Sequence, residues 1–457
     1  MNKTNLLRER FEPFSYKTLK ELRDKINELN LEIPISNDIK VLRQPVKFNK
    51  TFIPNRLSIQ PMEGFDAKSD GAPGNLTIRR YNRYAQSGAG LIWFESTTIL
   101  ENCRTNPHQL VLSEHSAKEF QELVTFTREK CNSTLKALGF KDECVLILQL
   151  NHAGRYCKRE GKRYPIRAYH NHELDNAIGA SDADGMVISD DELEELEDNW
   201  TSKVGLAKEV GFDGVDIKSC HGYLINELFC SRTRQNSKYG GNSIDNRTRF
   251  FFNVIKKSNN LISKNSNFFI TTRIGVYDGI PFPNGFGIEQ SESKSFPAPI
   301  HLTEPVNLIN KLYALGIRLI NVTAGNPYYK PQITRPFDTP IEGNSPPSEH
   351  PLYGVHRIVN LAATIKKHLP KDMVVIGSGY SYLRQFAGYI AAGLVHQNKV
   401  DICGFGRMAL ANPSFPKQIF HDGVVDKKEV CIACSKCSGL MRAGKSTGCV
   451  IRDPQYQ

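Results

Sequence analysis

Nowhere does this chain carry an apolar run approaching the roughly 18 residues that a bilayer-crossing helix needs. Its start, MNKTNLLRER, is polar and charged, and no apolar stretch follows, so no secretory leader is expected. The two absences point to a cytoplasmic protein with no membrane partner. Acidic residues are in deficit: 48 Asp and Glu stand against 59 Lys and Arg, a formal net charge of +11. A basic balance raises nucleic acid as a partner. Yet the basic residues are scattered, mostly with Asp or Glu nearby, and no basic stripe interleaved with aromatics occurs. The charge therefore reads as composition, and no nucleic-acid partner is expected. A disulfide framework is missing too. The 11 cysteines are odd in number, and outside the C-terminus they are scattered in contexts that suit core thiols in a reducing compartment. The glycine-rich stretch GSGYSY at 377–382 lacks a third glycine and is no Rossmann fingerprint.

What is present is a chain of 457 residues, 40% hydrophobic and 23% charged, long enough to bury a large core. Residues 1–50 read as an N-terminal helical cap. Leu19, Leu22, Ile26 and Leu29 recur at helical spacing, and a hairpin is expected where 46–48 and 51–53 flank Asn49-Lys50. From residue 57 onward, short apolar runs alternate with helical stretches. The strand candidates are 57–61, 90–94, 144–150, 214–217, 268–274, 319–323, 373–376 and 401–404. The acidic run DDELEELED starts a helix at 189–208: Ser189 and Glu192 suit a capping box, and Leu193, Leu196, Trp200 and Val204 share a face. That run is expected to be a solvated helix face and not a metal site. Eight β/α alternations predict an α/β fold, a (β/α)8 TIM barrel over 51–422, with a doubly wound sheet as the competing architecture. A Cys-rich segment at 423–457 follows. In a barrel, chemistry sits at the C-terminal strand ends, and polar groups cluster just where these apolar runs stop.

Several of those clusters resemble motifs of the old yellow enzyme family of flavoproteins. They are SIQPMEGFDA at 58–67, QLNHAGR at 149–155, GFDGVDIKSCHGYLINELF at 211–229, YGGNSIDNRTRF at 239–250 and GFGRMALANPSFP at 404–416. The match runs in order from about residue 50 to 420, and five ordered motifs are far more specific than one. The resemblance implies a barrel carrying non-covalent FMN, an NADH:flavin oxidoreductase or ene-reductase type of enzyme, and NAD(P)H as an electron donor. It places the flavin phosphate at Gly377, Ser378 and Gly379 with Gly406 and Arg407, where loop glycines let backbone N–H groups come close. It places Gln149 at the flavin's pyrimidine edge, with Arg273 near the charge of the reduced ring. Pro61, Met62 and Glu63 would pack on the flavin. The family often has Thr or Cys where Glu63 stands.

For catalysis the resemblance implies that Lys218 and His221 hold the substrate oxygen, at positions where the family commonly has His or Asn pairs. Lys is a point-charge donor that can still stabilise such an oxygen. Tyr223 matches the family's proton donor. Asp216 and Cys220 alternate along the same strand. His152 is read as structural, and the loop 232–237 departs from the family pattern and is read as scaffolding.

Four cysteines crowd the C-terminus: Cys431, Cys434 and Cys437, each two residues apart, and then Cys449. One tight loop can aim three thiolates at one cubane, and a fourth ligand completes it. Structural zinc, which prefers two separated pairs, is the alternative. The segment resembles the iron–sulfur segment of trimethylamine dehydrogenase and bacterial 2,4-dienoyl-CoA reductase, which implies a 4Fe-4S cluster. Those relatives continue into a dinucleotide-binding domain, which is not expected here because only 450–457 follow Cys449. The expected function is therefore hydride transfer from reduced FMN to an activated C=C of a small unsaturated carbonyl or carboxylate compound. Two alternatives stand beside it. One is an oxidative, amine dehydrogenase-like flavoprotein passing electrons through the cluster. The other is a non-catalytic metal-binding barrel. A ferredoxin-like electron-transfer partner fits the first two.

Overall fold

All eight apolar runs form strands, because each is buried on both faces and so needs no polar alternation. In the computed structural model, which describes residues 10–262, 266–292, 295–347 and 349–457, they are β1 (Leu57–Ile59), β2 (Leu91–Thr98), β3 (Val145–Asn151), β4 (Gly214–Ile217), β5 (Phe269–Gly275), β6 (Leu319–Thr323), β7 (Val374–Gly377) and β8 (Ile402–Phe405). Every neighbouring pair is parallel. Cys403 pairs with Leu57 to join β8 to β1, so the sheet closes into the expected barrel and not an open sheet. Two strands differ from their expected lengths. β1 stops before Gln60-Pro61, where the proline has no N–H for the ladder. β2 runs four residues past Phe94, through a bulge between Phe94 and Ser96. The polar stretch Glu95–Thr98 hid this extension.

The expected hairpin forms, with Val46 opposite Ile53 and Phe48 opposite Thr51. It plugs the N-terminal end of the barrel. Val46, Phe48 and Ile53 join the first residues of six strands (Leu91, Val145, Phe269, Leu319, Val374 and Ile402) in one buried cluster. Phe48 meets Phe269 edge-on with ring centroids 4.6 Å apart. Sealing this end leaves the C-terminal end for a ligand.

Helix α1 (Leu19–Glu28) is capped by Thr18, whose hydroxyl accepts from Glu21 N at 3.2 Å, and it buries Leu22 and Ile26. Helix α2 (Asp190–Glu209) begins with the expected capping box. Glu192 N donates to Ser189 Oγ at 3.1 Å, and Ser189 N donates to Glu192 Oε2 at 2.8 Å. Its acidic face is mostly exposed, with one correction. Glu197 is buried and accepts from Tyr239 and Asn253, each at 2.8 Å. Helix α3 (Pro351–Lys367) lies outside β7, and helix α4 (Lys436–Arg442) follows the first two cysteines of the C-terminal group. Among the described residues, no helix is long and apolar enough to cross a membrane.

Candidate active site

β4 ends at Ile217, and the chain then turns sharply. His221 and Gly222 both take left-handed backbone angles (φ 66° and 75°), and the turn is held by Gly222 N donating to Asn226 Oδ1 at 2.8 Å. Lys218, His221 and Tyr223 are thereby gathered on one wall of a cleft at the C-terminal mouth of the barrel, about 1100 Å3 including its open side. Pro61, Met62, Glu63, Gln149, Arg273, Ser378, Gly379, Gly406 and Arg407 line the same cleft. Gly377 does not. It ends β7, and a side chain there would strike the Tyr380 hydroxyl, so it makes room behind the wall. Asp216 and Cys220 also stay outside. Asp216 is fully buried and accepts from Trp93 Nε1 (2.8 Å), Gln149 Nε2 (2.6 Å) and Arg273 N (2.7 Å), so it orients β3 and β5. Burial lifts its carboxyl to about 6. Gln149 thus commits one amide hydrogen inward and keeps its carbonyl oxygen for a ligand. His152 accepts from Gly154 N at 3.0 Å, a turn-holding role.

The electrostatics are uneven. Arg273 is buried, and among the described residues its guanidinium has neither an ion-pair partner nor a hydrogen bond to Nε. Burial lowers its pKa, only weakly opposed by Cys220 and Asp216. A buried cation without a counter-charge is costly unless an anion arrives. Arg407 is similar: Nη2 donates to Pro336 O at 2.7 Å, while Nη1 is buried and unpartnered. Around it the backbone is bare, since a side chain at Gly406 would sit 2.8 Å from Met62 Sδ.

Across the cleft, Lys218 Nζ donates to Ser96 Oγ at 3.1 Å, lies 3.5 Å from Glu63 Oε1 and sits 3.6 Å from the centroid of the Tyr223 ring. Burial pulls the Lys218 pKa down, and Glu63 opposes this. Burial, Arg273 and Lys218 all hold His221 neutral, and its Nε2 is 3.2 Å from Thr323 Oγ1. Tyr223 OH lies 3.4 Å from Glu63 Oε1 and 2.9 Å from Tyr328 OH. Burial first, then Glu63 and Tyr328, raises its pKa, so it stays protonated.

Sequence reasoning missed Ser96, Tyr328, Arg335 and Arg442, which also line the cleft. Tyr328 and Arg335 follow β6, at the strand end already marked by its polar residues. Arg442 comes from α4, and nothing in the sequence shows that this helix folds back over the barrel mouth.

The four cysteines line one small cavity beside the cleft, together with Arg407 and Arg452. Ala433 and Ser435 take left-handed angles (φ 54° and 58°), which curl the chain around Cys434, and Ala433 N donates to Cys431 Sγ at 3.4 Å. Among the described residues, no group of three His, Cys, Asp or Glu side chains converges as a single metal ion requires. Arg335 Nη1 donates to Ser435 Oγ at 3.2 Å, so this guanidinium touches both cavities.

Comparison with known proteins agrees with this architecture. An NADH:flavin oxidoreductase of Gibberella zeae is 23% identical over 397 residues, covering 84% of this chain and 86% of that protein. Cinnamate reductase of Clostridium sporogenes is 24% identical over 429 residues, covering 91% of this chain and 58% of that protein. Among solved structures, 2-naphthoyl-CoA reductase superposes with a TM-score of 0.70 at 18% identity, covering 92% of this chain and 57% of that one. Histamine dehydrogenase from Rhizobium sp. 4-9 gives 0.65 at 18%, covering 92% and 53%. The chain therefore spans little more than half the length of three of these four proteins. The sequence profile of the NADH:flavin oxidoreductase / NADH oxidase family matches residues 41–282, more than half of the sequence, and the chain belongs to that family.

Proposed function

We propose that the cleft binds FMN and reduces an activated C=C bond of a small unsaturated carbonyl or carboxylate compound. The observation that carries this reading is Arg273, a buried guanidinium without an ion-pair partner among the described residues, in the same cleft as Lys218, His221 and Tyr223. The residues fit FMN. Arg407 Nη1 and the bare backbone at Gly379 and Gly406 suit a phosphate, and Gln149 and Arg273 suit a polar ring edge that gains negative charge. When bound, FMN supplies the hydride.

The chain's own residues do the rest. Lys218 and neutral His221 hold the substrate oxygen and draw electron density from the neighbouring double bond. Tyr223 gives its hydroxyl proton to the carbon beside the activating group. Tyr328 holds the Tyr223 hydroxyl in position and borders the solvent groove through which that proton can be replaced. Cys431, Cys434, Cys437 and Cys449 fit a 4Fe-4S cluster, which would supply single-electron transfer when assembled. NAD(P)H, or a ferredoxin-like partner acting through the cluster, would supply the electrons. The cinnamate and acrylate reductions named for two relatives agree with an unsaturated carboxylate as substrate.

The test is an anaerobic spectrum with FMN and iron quantified, followed by stopped-flow reoxidation of the pre-reduced protein by cinnamate and by 2-cyclohexenone. Flavin absorbance and alkene-dependent reoxidation are expected. Tyr223→Phe should slow that reoxidation about 10²–10⁴-fold with near-normal ligand binding. A protein that retains no flavin absorbance after incubation with FMN and desalting would overturn the proposal. So would a flavoprotein that ignores alkenes and is reduced by amines.

A further inference from the structure

Beside the cleft lies a second, larger cavity of about 2680 Å3 including its open side, which shares Tyr328, Met441 and Arg442 with the first. The two therefore share a wall at Tyr328. FMN and a small enone would occupy the first, and the second is far larger than proton exchange past Tyr328 requires.

One wall of the larger cavity is a short hairpin, Lys158–Arg159 against Lys162–Arg163. Its tight turn, Glu160-Gly161, has both residues left-handed (φ 50° and 75°), which fixes the register. That register sets Lys158 opposite Arg163 and Arg159 opposite Lys162. Like charges directly opposite across a ladder are destabilising. Arg159 turns aside and stacks on Tyr164, 3.7 Å from the ring centroid. Lys158 and Arg163 both line the cavity, and among the described residues neither has an ion-pair partner. Arg163 Nη1 donates only to Gly179 O at 2.9 Å. Lys330, in the same wall, lies over the rings of Phe296 and Tyr329, also without a carboxylate partner. The carboxylates of this cavity do not answer these charges. Glu173 is held by the Tyr329 hydroxyl, and Glu342 is exposed at the rim, as are Arg163 and Lys330.

We propose that this basic hairpin and Lys330 form an anion site for the phosphate-bearing tail of a ligand whose reacting head enters the cleft. A phosphate monoester carries about −1.5 to −2 charges at neutral pH and offers three acceptor oxygens. It meets two cations at once, where a carboxylate meets one. An Arg fork beside a Lys point charge suits such a group. The tail belongs either to the nicotinamide dinucleotide reductant or to the substrate to be reduced. Placing the head in the cleft rests on the function proposed above; the anion site itself does not.

The test uses holoprotein and inorganic pyrophosphate, read by calorimetry at low ionic strength. Lys158→Ser/Arg163→Ser should weaken pyrophosphate at least about tenfold, since two charge-assisted contacts are lost. Lys330→Ser, outside the hairpin, should weaken it less but in the same direction. Lys47→Ser/Lys50→Ser removes the same charge from the plugged end of the barrel and should change nothing. Absence of binding to the unmodified protein, or equal weakening in both double variants, would overturn the site. Because no turnover is read, this arm is independent of the redox proposal. A raised KM for NADPH in the hairpin variant assigns the tail to the reductant. An unchanged KM alongside lost pyrophosphate binding assigns it to the substrate.

Discussion

Lys218 stands where the resemblance to the family implies a neutral donor, and the groups around it act on its charge in opposite directions. Its ammonium is buried, which favours the neutral amine, and Arg273 pushes the same way. Glu63, 3.5 Å away, pushes back. The two positions that depart from the motifs the resemblance implies are therefore in contact, and Glu63 favours the charged form of Lys218. Each was legible in the sequence as a departure, but not their contact, because they follow different strands, far apart in the chain. The pairing predicts a pH effect. Lys218 is depressed in the folded protein, so its charge is lost as pH rises through that lowered pKa. Glu63→Gln removes the opposing negative charge and lowers the pKa further. The alkaline limb of the alkene-dependent reoxidation profile should move to lower pH. An alkaline limb at the same pH in Glu63→Gln would mean that Glu63 does not sustain the Lys218 charge.

At the scale of elements, what the sequence revealed depended on how local the signal was. The strand runs and the α2 capping box were legible because burial on both faces and a three-residue capping spacing are local patterns. The continuation of β2 was not. Glu95 is polar yet buried, held by Arg80 and by Gly64 N at 2.7 Å, and those partners come from other elements. Helix α3 carries another signal that is easy to pass over. Its first free N–H, at Leu352, donates to His350 Nδ1 at 3.1 Å, so the cap works only while that imidazole is neutral. Burial lowers His350 to about 4, against 6.5 in an open chain, with Glu12 opposing. The sign follows directly. The unfolded chain takes up a proton below 6.5 and the folded one does not, so stability is whole above 6.5 and falls as pH drops toward 4. Asn caps as well as His and does not titrate. His350→Asn should match the natural protein at pH 7 within about 1 kcal/mol. At pH 5 it should be the more stable of the two by up to about 2 kcal/mol. Urea midpoints at the two pH values check this, and parallel losses in both proteins would remove His350 as the cause.

Across the whole molecule, the barrel and the cysteine segment meet over one cleft. Arg407 lines both the cleft and the cysteine cavity, Arg335 reaches from the cleft to Ser435, and Ser438, Met441 and Arg442 of α4 form part of the cleft wall. Each half was legible in the sequence as a separate motif, but their contact arises only from how the chain returns over the barrel mouth. A shared wall raises the question of whether the two sites depend on each other. The barrel-side residues argue that flavin binding does not need the cluster: Gly379, Gly406, Gln149 and Arg273 all sit at strand ends fixed by the closed sheet. The α4 wall is different, since α4 begins between Cys434 and Cys437 and has no buried residue of its own to hold it. Cys434→Ser should therefore remove iron and the broad visible absorbance while FMN stays near stoichiometric. Ligands that reach past Tyr328 toward Arg442 should bind more weakly, because α4 loses its anchor. Iron and FMN quantified on the same sample, with ligand affinity read from flavin spectral shifts, separate these outcomes. Loss of FMN together with iron would make the cysteine segment part of the flavin site, and stoichiometric zinc after anaerobic purification would replace the cluster with a structural ion.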